Sequence, residues 1–251
     1  AMPIHVPMVD VRTVGAGGGS IARVNAAGLL EVGPESAGAD PGPICYGKGG
    51  NDPTISDANL LLGRLNPPVR KGDHPLSETK AQVAQIFAEK LGNPLGLTAI
   101  QAAEAVIRIA NTKMAGAIRM VSISLGADPR DFALFAFGGA GPLHATALAR
   151  ELGVPRVLVP CRPGITNALG CVVADLRHDY VRTINRPLDM LDAAQVHEIF
   201  ATQSATGKAL ITKEPIPLKA IRHLHSVDMQ FVGQTHLLRV PLDTATPSVA
   251  T

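Results

Sequence analysis

The stretch 132–153, Phe-Ala-Leu-Phe-Ala-Phe-Gly-Gly-Ala-Gly-Pro-Leu-His-Ala-Thr-Ala-Leu-Ala-Arg-Glu-Leu-Gly, constrains the fold more than any other part of the chain. Phe132 to Phe137 is a short, continuous apolar run of the kind that forms a strand buried on both faces. It ends abruptly at Gly138-Gly139-Ala140-Gly141. Pro142 suits the first helical position, where a missing N–H costs nothing, and Gly153 supplies a left-handed stop one residue past Leu152. The unit therefore reads strand, glycine loop, helix. Glycines there let a ligand come close to the backbone, and the positive end of the helix favours a polar or anionic group. A nucleotide is the natural candidate. The same glycines also suit a tight strand-to-helix turn that binds nothing, so the loop by itself leaves both readings open. Neither G-x-x-x-x-G-K-[ST] nor G-x-G-x-x-G occurs, which removes support for a Walker-type ATPase or a dehydrogenase.

Arg156 to Val159 predicts a second strand, Pro163-Gly164 opens a helix over about 165–176, and His178 to Asn185 resumes a strand. Strand, helix, strand, helix in short succession predicts parallel neighbours in a layered α/β domain. Upstream, the β-branched run Val9 to Val14 leads into Gly15-Ala-Gly-Gly-Gly-Ser20. Ile21 to Val24 and Leu29 to Val32 then flank Asn25-Ala-Ala-Gly28, a hairpin with Gly28 available for positive φ. Glycine and proline dominate 33–53 and predict no regular element, with Ile44, Cys45 and Tyr46 anchoring a compact loop on the core. Glu78 to Leu91 predicts a helix stopping at Gly92, its inner face carrying Val83, Ile86, Phe87 and Leu91. Thr98 and Gln101 form a capping box for a long helix. Its core stripe is Ile100, Ala103, Ile107, Ala110, Met114, Ala117, Val121 and Leu125, up to Gly126. A composition break at Arg186-Pro187 places a domain boundary near 187, giving domains over 1–186 and 187–251. Beyond it, Asp192 and Gln195 cap a helix to about Ile211. Ile221 to Val232 and His236 to Val240 predict paired strands with Gly233 at a bend.

Composition narrows the class. The chain has 251 residues, 46% hydrophobic and 18% charged, the profile of a folded protein with well-buried sheets. A net charge of +2, with six Phe, two Tyr and no Trp, gives no basis for nucleic-acid binding. Three cysteines without CxxC spacing argue against a disulfide framework and suit a reducing compartment. With no membrane-length apolar run and no signal-peptide pattern, a cytoplasmic protein is expected. Ala1 before Met2, and a stop just after a strand pattern has begun, read as a piece of a longer protein.

Two sets of residues are candidates for chemistry. Gly15, Gly17, Gly18, Gly19 and Ser20 either form an anion-binding nest of N–H groups facing phosphates or substrate, or simply turn the strand at a glycine bulge. Asp40, Cys45, Asp57 and His144 offer hard and borderline ligands able to meet at one cation. Singly, each has a structural reading: Asp40-Pro41 as a turn, Asp57 as a helix cap for 58–63, and Cys45 as a small buried group. His144, in the first turn after the glycine loop, is expected to be neutral beside the helix dipole. Cys161 and Cys171 receive no role, and Arg119, Arg130 and Asp131 read as solvated or capping groups.

Several segments then converge. They are Thr13-Val-Gly-Ala-Gly-Gly-Gly-Ser-Ile-Ala22, Ser36-Ala-Gly-Ala-Asp-Pro-Gly-Pro-Ile-Cys-Tyr-Gly47, Ser56-Asp-Ala-Asn-Leu-Leu-Leu-Gly63, Asp128-Pro-Arg-Asp-Phe132, Phe137-Gly-Gly-Ala-Gly-Pro-Leu-His144 and Phe231-Val-Gly-Gln234. In order and spacing, across nearly the whole chain, they resemble the hydantoinase A / 5-oxoprolinase family. That family includes ATP-dependent hydantoinases, 5-oxoprolinases and related subunits of acetone and acetophenone carboxylases. The resemblance implies an α/β fold with the ribonuclease-H-like layered sheet of the actin, Hsp70 and sugar-kinase ATPases. This chain would be its second half, followed by the start of a C-terminal α+β domain. The family's phosphate loops, with patterns like G-T-F-T-D and D-M-G-G-T-S, do not occur here. Gly138, Gly139 and Gly141 would then be the adenosine-side cofactor loop, and Gly15, Gly17, Gly18, Gly19 and Ser20 further cofactor contacts. Asp40, Asp57 and His144 would be catalytic, with Cys45 joining them as metal ligands. The implied activity is hydrolysis of a cyclic amide such as hydantoin, N-methylhydantoin or 5-oxoproline. ATP with Mg²⁺ or another divalent metal would activate the ring carbonyl. A hydantoinase B-type subunit or fused domain is the implied partner, and the isolated chain is expected to be inactive. The alternatives are a ketone carboxylase subunit and a non-catalytic assembly module.

Overall fold

A computed structural model describes residues 11, 13–66 and 76–242, and divides the chain into two compact units, 11–173 and 174–242 among the residues described. The division falls upstream of the composition break at Arg186-Pro187. Half of the β-branched run 9–14, residues 9, 10 and 12, lies outside the described residues.

In the first unit, β1 (Ser20–Val24) and β2 (Leu30–Ser36) form the expected antiparallel hairpin, with Gly28 at φ 76° in its turn. The second strand runs further than expected, into the glycine- and proline-rich segment; the cis peptide Gly33–Pro34 lies within it and a second, Asp40–Pro41, lies beyond its end. The loop beyond closes on a single 3₁₀ turn, Ile44–Tyr46, where Ile44 and Cys45 are buried. Tyr46 is exposed, so two residues, not three, anchor the loop.

Helix α1 (Ile55–Leu61) packs on α4 (Ala99–Ser124), and α2 (Leu76–Phe87) lies beside them. Where a stop was expected at Gly92, the chain continues through a π turn, Ala88–Gly92, into the single turn α3 (Asn93–Leu95), and stops at Gly96 with φ 65°. The reason is space rather than φ. Gly92 has helical φ of −62°, and a Cβ there would lie 2.6 Å from the Leu97 carbonyl oxygen.

Helix α4 holds the unit together, about 39 Å long at 1.5 Å per residue. Its Thr98–Gln101 capping box is present in both directions. The N-terminal half joins Val32, Ile44, Ile55, Val83, Phe87 and Leu91 in one core through Ala102, Ala103, Val106, Ile107 and Ala110. Alanine at the contact lets α1 come close, as a leucine would not. The expected stripe holds only in part. Ile100 and Leu125 at its two ends are exposed, while Ala115 takes part in a smaller second cluster with Leu148 and Leu152.

That second cluster sits under the parallel pair β3 (Ala133–Phe135) and β4 (Arg156–Leu158), joined by α5 (Gly141–Leu152). Helix α6 (Thr166–Val173) follows a 3₁₀ turn at Pro163–Ile165. Parallel pairing across a helical connection was expected; a strand buried on both faces was not found. Leu134 packs into this cluster and Ala136 is buried, whereas Phe132, Phe135 and Phe137 stay exposed, because among the described residues the sheet has two strands with its helical cover on the Leu134 side. Apolarity marks a strand able to be covered twice, and does not itself provide the second cover.

The second unit consists of α7 (Ala193–Ile211), capped by the Asp192 side chain, and the antiparallel pair β5 (His225–Met229) and β6 (Leu238–Leu242). Gly233 provides the bend at φ 83°. The strand expected over 178–185 is not found: among the described residues this segment forms no regular element, and Asn185 adopts φ 48°. Among the described residues, no helix is long and apolar enough to cross a membrane.

Candidate functional site

The glycine loop forms the mouth of the parallel unit. The Ala136 N–H donates to the Leu158 carbonyl at 2.9 Å, which carries β3 to the edge of the loop. Gly138 then adopts φ 83°, a left-handed conformation that favours glycine, and its N–H donates to the Pro163 carbonyl at 2.8 Å. This bond ties the loop to the start of the α6 turn. Helix α5 begins at Gly141 with Pro142 in its first turn, and its N-cap, Ala140, has no side chain to cap it. The cap position thus leaves early N–H groups to be satisfied from outside. A Cβ placed on Gly138, Gly139 or Gly141 would meet nothing within 4 Å, so the loop is open above all three. An apolar cavity of about 180 Å³ lies beside it, between Leu134, Phe137, Gly141, Ala145 and Leu148. An open glycine turn, an uncapped helix start and an apolar recess suit a ligand with one polar and one flat apolar part, and so fit a nucleotide.

The other glycine segment has a different role. The Gly17 N–H donates to Ser20 Oγ at 2.9 Å, the Ser20 hydroxyl donates to the Gly15 carbonyl at 3.3 Å, and Ser20 is buried. A Cβ on Gly18 would lie 2.8 Å from Ser56 Oγ, and one on Gly19 would lie 2.8 Å from Ser36 Oγ. The Ser56 and Ala37 N–H groups donate to the carbonyls of Gly18 and Gly19, both at 2.8 Å. These glycines let α1 and the end of β2 close on the turn; Gly17 alone of the run has open space above it.

Asp57 is completely buried at the third position of α1 and accepts four hydrogen bonds. Its Oδ2 takes the Thr54 hydroxyl at 2.7 Å, the Thr54 N–H at 3.0 Å and the Ile44 N–H at 3.2 Å, while Oδ1 takes the Cys45 N–H at 2.8 Å. The sequence pointed to a cap for the residues after Asp57. The N-cap is instead Thr54, with Asp57 closing the capping box and clamping the long loop to the helix. Burial pushes the Cys45 thiol far up, and the neighbouring Asp57 charge adds to it, so Cys45 stays a protonated thiol. Asp40 is exposed on the loop.

His144 lies elsewhere, buried in the first turns of α5 against α4. Its Nδ1 is 2.8 Å from Asn111 Oδ1, an acceptor, so Nδ1 carries the proton and Nε2 the lone pair. Nε2 is buried without a partner. Burial, followed by the positive charge of Arg64, lowers its pKa below the ordinary 6.5. Asp40, Cys45, Asp57 and His144 therefore do not meet at one cation. Among the described residues, no three of His, Cys, Asp and Glu are arranged to hold a metal. The physical reason lies in the loop: Asp57's oxygens are taken by four donors, and Cys45 is held neutral.

One group was not singled out from the sequence. Arg64, Glu104, Ile107, Arg108 and Asn111 line a cleft of about 370 Å³. Its signal was present in α4, where Glu104, Arg108 and Asn111 recur at spacings of four and three along one face of the helix.

The sequence model of the hydantoinase/oxoprolinase family matches residues 1–180. The chain belongs to this family. It is 39% identical over 242 residues to the caprolactamase subunit alpha of Pseudomonas jessenii, covering 95% of this chain and 35% of that subunit. It is 43% identical over 248 residues to the acetophenone carboxylase gamma subunit of Aromatoleum aromaticum, covering 94% and 33%. The crystal structure of the ATP-dependent caprolactamase from Pseudomonas jessenii superposes with a TM-score of 0.77 at 35% identity, covering 98% of this chain and 36% of that one. The likeness supports an α/β fold over the described residues. The chain spans about a third of the length of these relatives.

Proposed function

We propose that this hydantoinase/oxoprolinase chain supplies the adenosine-side wall of the nucleotide cleft in an ATP-dependent enzyme that opens a cyclic amide. The observation that carries the reading is the loop 138–141, with Gly138 at φ 83°, open space over three glycines and an uncapped α5 behind them. The matching relative, an ATP-dependent caprolactamase, supports both the nucleotide and the amide. In this reading the parent fold is of the actin, Hsp70 and sugar-kinase type, and the protein works with a hydantoinase B-type subunit or domain. ATP would supply phosphoryl activation: its γ-phosphoryl passes to the amide oxygen as ADP leaves. A first water then attacks the carbonyl carbon and the ring C–N bond breaks as the nitrogen takes a proton, leaving an acyl phosphate that a second water hydrolyses to the carboxylate and free phosphate. This chain's part is to seat the nucleoside so that the transfer is in line. No step is assigned to Asp40, Cys45, Asp57 or His144 as metal ligands.

Gly139→Val in the protein with its partner subunit should weaken ATP binding at least tenfold in a fluorescent-nucleotide titration, and leave complex assembly unchanged. Wild-type protein that binds no ATP, or that releases no phosphate with hydantoins, lactams or 5-oxoproline, would refute the reading. A second reading, a ketone carboxylase subunit, is favoured by the 43% identity to the acetophenone carboxylase gamma subunit. Bicarbonate-dependent consumption of an aryl ketone would select it.

A further inference from the structure

The polar cleft of about 370 Å³ is built from two distant parts of the first unit. Glu104, Ile107, Arg108 and Asn111 follow at i, i+3, i+4 and i+7 on α4, so they share one face. Arg64 enters from the turn after α1, where its backbone N–H donates to the Asn59 carbonyl at 2.8 Å. Among the described residues, neither Arg64 nor Arg108 has a carboxylate within 4.0 Å, although Glu104 lines the same cleft. Two guanidiniums sharing one cleft repel each other unless an anion lies between them. Asn111 adds a neutral donor. Its Oδ1 is held by the His144 Nδ1–H at 2.8 Å, which leaves the amide NH₂ for the cleft that the residue lines. The imidazole is buried, and its bond to Oδ1 orients the amide before any ligand arrives.

We propose that this cleft binds the carboxylate group of a small organic ligand, with Arg64 and Arg108 as charged donors, Asn111 as the neutral donor and Ile107 against the ligand's apolar stem. Two arginines and one glutamate leave a single positive charge, which matches a carboxylate better than a doubly charged phosphate. A guanidinium presents paired N–H groups at the spacing of carboxylate oxygens. The proposal stands on this cleft alone and does not require a nucleotide at the glycine loop.

The test uses the protein labelled with ¹⁵N and titrated with butyrate, with inorganic phosphate in a separate arm. The expected result is saturable shifts of the Asn111 side-chain amide and the His144 Nδ1–H on adding butyrate. Arg64→Gln and Arg108→Gln, both at exposed residues, should each weaken butyrate binding at least tenfold. Glu104→Gln should strengthen it several-fold, an effect that a misfolded variant cannot imitate. Asn111→Asp keeps an oxygen for His144 and should abolish binding. Phosphate binding more tightly than butyrate through the same residues would overturn the carboxylate assignment. Absence of saturable shifts with either anion, or butyrate affinity unchanged in both arginine variants, would overturn the site.

Discussion

Replacing Asp57 offers a direct measure of what holds the long loop in place. Its carboxylate accepts four hydrogen bonds in a position with no solvent access, from the Thr54 hydroxyl and the Thr54, Ile44 and Cys45 N–H groups. Leaving a buried donor without an acceptor costs about 1–3 kcal/mol. Asp57→Ala orphans all four donors, and even at the lower limit per group the loss is about 4 kcal/mol, much of a typical domain's stability of about 5–15 kcal/mol. Asp57→Asn is nearly the same shape. With its oxygen turned to the three donors at Oδ2, only the Cys45 N–H loses its partner, and it then faces an NH₂ group. The expected cost is about 2 kcal/mol, half that of the alanine variant. Urea unfolding should show this order, with hydrogen exchange at the Ile44 and Cys45 amides accelerating in the alanine variant while α4 remains protected. EDTA should leave wild-type stability unchanged. Asp57→Ala within 1 kcal/mol of wild type, or a wild-type midpoint lowered by EDTA, would refute the reasoning and return Asp57 to the metal reading.

Four further outcomes are expected. Gly92→Ala places a Cβ 2.6 Å from the Leu97 carbonyl oxygen and should cost about 2 kcal/mol in urea unfolding. Gly116→Ala, within α4 and with nothing within 4 Å, should instead stabilise by about 0.5–1 kcal/mol. The His144 pKa is depressed in the fold, so the unfolded chain binds the extra proton first. The stability due to the neutral imidazole is therefore complete above the ordinary 6.5 and is lost as pH falls below it toward the folded value. Thermal unfolding from pH 8 to 5 should show a loss that His144→Gln removes, and an unchanged slope in that variant would contradict the assignment. Gly18→Ala should destabilise, because its Cβ would meet Ser56 Oγ at 2.8 Å, and Ser56→Ala in the same protein should relieve part of the cost.

Much of the local architecture was legible because it depends on neighbours in the chain. The Thr98–Gln101 box, the Asn25–Gly28 turn, the left-handed Gly153 and the strand–glycine–helix order at 132–153 each follow from a few adjacent residues. Expectations failed where the outcome depended on what lies opposite. Phe132 to Phe137 is apolar enough to be buried twice, yet Phe135 is exposed because helices cover one face of β3 only. The segment 178–185 has strand-like composition and, among the described residues, no partner strand. Asp57 had a reading as a cap and one as a ligand, and only the arrival of the Ile44 and Cys45 N–H groups from the loop decided how its oxygens are used.

By itself, the sequence determined the family, the Thr98–Gln101 capping box, the turn at Gly28 and the strand–glycine–helix order at 132–153. Tertiary structure alone decided which polar groups are satisfied and which remain available. Asp57 and the Gly15–Ser20 turn spend their bonding capacity on the fold, while Arg64, Arg108, Asn111 and His144 come together from three separate segments. Hydrogen bonding and charge act over a few ångströms of space, and residues so far apart in the chain acquire such neighbours only when α1, α4 and α5 pack.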